Sequence, residues 1–233
     1  MAEELHPHLA SAPPAGWVRV DLHAHTMWSG DATTTPDELR DALSESRIDV
    51  LCITDHGTIN GALKLADELP CRVIVGEEVR SAAGEIIGLF LTERLPVGMK
   101  PHEASELIRE QGGIVYIPHP FDPMRRCLKE DALDALAAGG QIDAIEVLNA
   151  KVSLSSLNRR AAEFALHYDL ARGAGSDAHE PSAIGAAFVE MPDFADGDPS
   201  SFLASLRQGR IVGHHYDAPR RWRARVVPST KAL

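Results

Sequence analysis

Residues 17–25 read Trp17-Val18-Arg19-Val20-Asp21-Leu22-His23-Ala24-His25. Val18, Val20 and Leu22 alternate with polar neighbours, and a period of two predicts a strand. The strand ends in Asp21, His23 and His25, which share one face. The same kind of ending recurs along the chain. IDVLCIT is a continuous apolar run, as expected of a strand covered on both faces, and it runs into Asp55-His56. CRVIVG runs into Glu77-Glu78, and GIVYIP into His119-Pro120-Phe121-Asp122. IDAIEVLN carries Glu146 and Asn149, and ARGAG runs into Ser176-Asp177-Ala178-His179.

Helix signals separate these strands. Thr35 reads as an N-cap, Pro36 as the first helical residue and Glu38 as the partner in a capping box. Further helices are predicted at about 60–69, in KPHEASELIREQGG, KEDALDALAAGG and SSLNRRAAEFALHYDL, and in DPSSFLASLRQG, where Asp198 is the cap. EIIGLFL reads as a short strand in a hairpin with the one before it, and AAFVEM and RIVG as late strands. Strands alternate with helices about seven times, the pattern of right-handed parallel βαβ units. An open doubly wound sheet and a closed barrel both fit that count. No glycine-rich fingerprint follows the first strand, which argues against a dinucleotide site.

Composition narrows the class. The chain has 233 residues, 44% of them apolar, enough for one sizeable core in a single domain. Residues 1–16 read as a flexible tail, 17–216 as the barrel and 217–233 as a basic end. Three cysteines, Cys52, Cys71 and Cys127, make no disulfide scaffold. No apolar run approaches the ~20 residues that span a bilayer, and the start carries no basic, apolar leader pattern. A cytoplasmic location is the expectation. A net charge of −11 argues against wrapping long nucleic acid. The string Arg220-Arg221-Trp222-Arg223-Ala224-Arg225 could track a phosphate chain, but reads more simply as a solvated end.

Eleven histidines against twelve aromatic residues is the oddity. His23, His25, His56, His119 and His179 all fall at predicted strand ends. In βα barrels that rim carries the active site. Five imidazoles and several carboxylates meeting there repel and crowd one another unless divalent cations bind among them. His6 and His8 repeat the H-x-H spacing in the tail, where a mobile polar end is expected. His102, His167, His214 and His215 read as surface or packing residues. Asp31, in Trp28-Ser29-Gly30-Asp31, fits a turn or a ligand equally. Asp55 reads as an orienting residue. Glu77 and Glu78 cannot both face the interior, because neighbours in a strand alternate. His119 before Pro120 is expected in extended backbone.

With these residues in order, the chain resembles the polymerase and histidinol phosphatase (PHP) family. The matching strings are DLHAHTMWSGD, ITDHG, VIVGEE, IPHPFD, IEVLNAK and GSDAH, spread over about 18–216. The resemblance implies an α/β fold, a distorted (β/α)7 TIM-like barrel of the PHP type. It implies two or three divalent ions, with zinc, manganese or iron favoured by a histidine-rich shell and magnesium also tolerated. His23, His25, Glu78 and Asp177 would hold the first ion, Glu78 and His119 the second, and Asp31, His56 and His179 the third. The family commonly carries a histidine on the strand after the glutamate. Here that string is Glu85-Ile86-Ile87-Gly88-Leu89-Phe90, without one.

The implied activity is hydrolysis of a phosphate ester of a small metabolite or nucleotide, through a hydroxide made at neutral pH by a bound metal ion. Asp177, His179 and His56 are the candidate catalytic residues. Arg125 and Arg126 could take the phosphate two-pronged, and Asn149 could orient substrate or a water. The alternatives are hydrolysis of a C–N bond, nucleic-acid processing, and a non-catalytic metal-stabilised module.

Overall fold

The computed structural model describes residues 6–215. Val20 and Leu22 are fully buried, and together with Val50, Cys52, Ile74, Ile87, Leu89 and Tyr116 they fill the inside of one curved sheet. Nine strands build it: β1 Trp17–Ala24, β2 Val50–Ile53, β3 Arg72–Ser81, β4 Gly84–Leu89, β5 Ile114–Ile117, β6 Ala144–Asn149, β7 Ala171–Gly175, β8 Ala187–Pro192 and β9 Arg210–Gly213. Their order is β7-β6-β5-β4-β3-β2-β1-β8-β9. The sheet nearly closes on itself. After β7 the chain crosses to the end of β1, where Asp177 N–H donates to His23 O (2.7 Å) and His25 N–H donates to Ala178 O (2.9 Å). Gly175 permits that approach, since a Cβ there would strike the His23 Cβ and the Glu146 carboxylate.

Six helices pack outside: α1 Pro36–Ser46, α2 Asn60–Leu65, α3 Pro101–Glu110, α4 Glu130–Ala138, α5 Ser155–His167 and α6 Pro199–Leu206. The capping box forms as read, with Thr35 and Glu38 bonding reciprocally at the start of α1. Asp198 caps α6 through Ser200 N and Ser201 N. Helix α2 stops at Leu65, short of the expected 69, and gives way to tight turns in which Leu69 N–H bonds Leu65 O.

The sheet is less uniformly parallel than the alternation suggests. Strands β1-β2-β3 and β5-β6-β7 are parallel sets, but β4 is antiparallel to both β3 and β5. The β3–β4 connection is a hairpin, too short to swing a helix across the sheet and restore direction. Strand β8 pairs antiparallel with β1, and β9 with β8.

A second difference concerns the start of the chain. Residues 6–10 are not a loose tail. Pro7–Ala10 forms a short 3-10 turn, and Leu9 is fully buried against Leu39, Leu43 and Phe188. His6 Nε2–H donates to Ser182 O and His8 Nε2–H to Gly185 O, both at 2.9 Å. His214 Nε2 lies 3.4 Å from His6 Nδ1, and its Nδ1 lies 3.2 Å from His8 Nδ1. The motif expected to be a mobile polar end is held by backbone carbonyls and by a third imidazole from just beyond β9. The basic string at 220–225 lies outside the described residues. Among the described residues, no helix is long and apolar enough to cross a membrane.

Candidate metal centre

Strand ends deliver most of the mouth. His23 lies on β1 and His25 just after it. His56 follows β2 and forms a parallel bridge with Glu78 of β3. His119 follows β5, Glu146 and Asn149 end β6, and Asp177 and His179 follow β7. Eleven residues, 25–35, separate β1 from the first helix, and Asp31 sits in that loop.

The imidazoles are aimed from behind. His23 Nδ1–H donates to Glu146 Oε1 (3.2 Å), His25 Nδ1 pairs with Ser29 Oγ (3.2 Å) and His179 Nδ1–H donates to Asp177 O (2.9 Å). Each Nε2 is left for the interior. His23 Nε2 and His25 Nε2 approach to 3.0 Å, an unfavourable contact of two lone pairs unless a proton or cation lies between them. Glu78 Oε2 lies 3.4 Å and 3.3 Å from those two nitrogens, and Asp177 Oδ1 3.8 Å and 3.5 Å. His119 Nε2 meets Glu78 Oε1 at 2.9 Å. His56 Nδ1 lies 3.2 Å from Glu78 Oε2, and its Nε2 lies 3.3 Å from Asp31 Oδ2. His179 Nε2 lies 3.9 Å from the same Asp31 oxygen.

Four groups of donors each gather tightly enough to hold one ion. They are His23-His25-Asp177, His23-Glu78-His119, His25-His56-His179 and His56-Glu78-Glu85. All five rim histidines, with Glu78 and Asp177, are thus brought together, and Asp31 stands at the edge. The donors fit divalent ions: imidazole and carboxylate, deeply buried, oriented from a second layer and mutually repelling without a cation.

The titration behaviour follows from that crowding. Burial opposes charge on His23, but Glu146, Asp177 and Glu78 outweigh it and raise it well above the ordinary range. His25 is pushed down to about 3 by burial and by the neighbouring His179 and His56. Burial also opposes charge on His56, yet Glu78 and Asp31 lift it to about 9. Despite their burial, Glu78 is held well below the carboxylate range by His23, His56 and His119, and Asp177 by Arg125 and His23.

Glu77 faces away from the mouth, as strand alternation required with Glu78 turned inward, and accepts Leu95 N–H at 2.7 Å. Other residues take places the sequence did not foretell. Asp55 orients no imidazole; it accepts Thr26 N–H and Thr26 Oγ1–H, both at 2.6 Å, and pins the loop after β1. His119 is not extended but has φ +28°, with its N–H drawn to Glu146 Oε2 at 2.6 Å. Asp177 likewise has φ +51°. Backbone strain of this kind persists only where surrounding contacts over-determine it. Asn149 is fully buried, and its Nδ2 donates to Glu146 Oε2 (3.0 Å) and Asp177 Oδ2 (3.2 Å). Arg125 reaches Asp177 Oδ2 at 3.0 Å and Lys151 O at 3.2 Å, with its side chain 23% exposed. Arg126 is exposed, and only its carbonyl supports the site by accepting Glu85 N–H at 2.8 Å. Two residues were missed as contributors. Glu146 was visible as a strand-end acid; Glu85 was not, since it begins a strand.

A barrel whose mouth gathers overlapping imidazole and carboxylate groups is the architecture of a metal-dependent hydrolase. Sequence comparison agrees. The PHP domain profile matches residues 21–117, and the PHP-associated C-terminal profile matches 155–211. An uncharacterized protein of Methanocaldococcus jannaschii is 35% identical over 199 residues, covering 82% of this chain and 79% of that one. A two-domain Bacteroides vulgatus protein, described as containing a PHP-like metal-dependent phosphoesterase, superposes with a TM-score of 0.68 at 19% identity, over 88% of this chain and 68% of its own. The lesion-specific endonuclease EndoQ of Pyrococcus furiosus superposes at 0.65 with 16% identity, over 84% of this chain and 57% of its own. The chain belongs to the PHP domain family.

Proposed function

We propose that the protein hydrolyses a phosphate ester of a small metabolite or nucleotide. The observation that supports this most is the overlap of the donor groups. His23, His25, His56 and Glu78 each belong to two of them, so ions held there would be neighbours sharing ligands. Bound divalent ions would supply hydroxide at neutral pH and neutralise the phosphoryl oxygens. Zinc, manganese or iron suits this imidazole-rich shell better than magnesium.

The protein's own side chains supply the rest. Glu146, Ser29 and the Asp177 carbonyl fix three imidazole tautomers. Asn149 and Arg125 fix the Asp177 carboxylate. Arg125 keeps a partly open face beside it, where a fork of donors suits a phosphate. His179 and His56, at the edge with Asp31, would complete the shell of the outermost ion.

Processing of a nucleic-acid end is the second reading, favoured by the likeness of fold to an endonuclease. A phosphate-release screen separates the two. It should cover sugar phosphates, histidinol phosphate, mononucleotides, bisphosphorylated nucleotides and oligonucleotides, with added Mn²⁺ or Zn²⁺ and Asp177→Asn as control. Turnover of a small ester but not of oligonucleotides is expected. Oligonucleotide cleavage alone would favour the second reading, and silence on every ester would reject both.

A further inference from the structure

We infer that Glu85 is a metal ligand, the third side-chain donor at the position shared by Glu78 and His119. This rests on the reading of the mouth as a multi-metal centre. The starting point is direction. Strand β4 is antiparallel to its neighbours, so it is the first residues of β4, not the last, that open onto the mouth. Glu78 lies opposite Ile87 in the hairpin, and Arg80 opposite Glu85. Ile87 is fully buried in the barrel core and offers no donor. Glu85 lies two residues nearer the mouth on the same face of the strand, since alternate residues share a face.

Its side chain turns into the cluster. Glu85 is 4% exposed. Its Oε2 lies 3.8 Å from His119 Nε2, and its Oε1 3.9 Å from His56 Nδ1. The two imidazoles and the Glu78 carboxylate therefore surround it. Two carboxylates of one sign, both buried and both facing the same imidazoles, repel each other. Arg80, half outside, donates to it through Nε at 3.3 Å. A cation between Glu78, His119 and Glu85 would answer both the repulsion and the donor count. With a carboxylate where an imidazole would otherwise stand, that position leans toward manganese, iron or magnesium and away from zinc.

Metal counting tests this without reference to turnover. Chelator-stripped protein, Glu85→Gln and Glu85→His are saturated with Mn²⁺, desalted and analysed for bound metal per chain. Glu85→Gln should bind about one ion fewer than the parent, and Glu85→His should keep the count. Thermal unfolding supplies the second reading. Stripped Glu85→Gln should melt no lower than the stripped parent, because a repulsion is relieved, while its rise in Tm on adding Mn²⁺ shrinks. An unchanged count in Glu85→Gln overturns the assignment. So does an equal loss in both variants, or a stripped variant that melts lower with an undiminished Mn²⁺ response, since those outcomes mark Glu85 as a packing partner of Arg80. Absence of phosphate release from every ester would sink the proposed function and leave this count untouched.

Discussion

Asp177 turns its two oxygens to different neighbours: Oδ1 lies 3.5 Å from His25 Nε2, and Oδ2 takes the Arg125 guanidinium at 3.0 Å. Arg125 therefore has a duty inside the centre as well as a partly exposed face. Arg125→Ala should lower kcat/KM by about 10²-fold, the scale on which small misplacements of reacting groups are felt. Arg126→Ala, whose side chain stands in solvent, should leave the kinetics unchanged. Steady-state rates on the best ester of the screen decide; equal losses in both variants would mean the guanidinium beside Asp177 has no special part.

The bond from His23 to Glu146 leads to a second expectation. Glu146 lies behind the imidazole, fixing its tautomer while also holding His119 N–H. Partners of this kind typically control metal affinity by about 10–100-fold. Glu146→Gln should weaken Mn²⁺ or Zn²⁺ binding on that scale in a competition with a chelating dye, with the far-ultraviolet circular dichroism unchanged. Parental affinity in the variant would show that the ring needs no such support.

Protonation of the stripped centre sets its pH response. His56 rises from 6.5 to about 9 in the metal-free fold. Its charge therefore stabilises that fold below pH 6.5, and the stabilisation drains away as pH climbs through about 9. An imidazole must be neutral to hold a metal. Apparent metal affinity should thus climb with pH up to about 9, and uptake at pH 7 should expel protons from His56 and from the likewise raised His23. Calorimetric titration of Mn²⁺ in two buffers of different ionisation enthalpy reads the release directly. Identical heats in both buffers would show that the imidazoles were already neutral.

Leu9 gives a stability test away from the centre. It is fully buried in a segment whose sequence promised nothing of the kind. Leu9→Ala should cost about 3 kcal/mol, which for a chain of this size lowers Tm by roughly 6–12 °C. A shift within experimental error would mean that the segment detaches freely in solution.

Much of the fold was legible because its signals are local. The Thr35–Glu38 capping box, the Asp198 cap and the apolar strand periods each depend on residues close in sequence, and they form as read. The rim histidines were legible for a related reason: in parallel βα units a polar residue after an apolar run falls at the mouth. That rule fails where the chain reverses. Glu85 precedes its strand's apolar run, so that rule does not mark it as a mouth residue. The contacts of Asn149 and Asp55 were not legible because they join residues far apart in the chain, with Asp177 and Thr26. The tail was misjudged because Pro and Ala near a chain start say little, while the surface that receives Leu9 is built from α1 and β8.

The clasp formed by His6, His8 and His214 has a practical side. The carbonyls it grips, Ser182 and Gly185, belong to the turn that follows His179. A segment fused ahead of residue 6 would begin beside the loop that carries His179. Metal content and turnover are therefore best compared with and without an amino-terminal affinity tag.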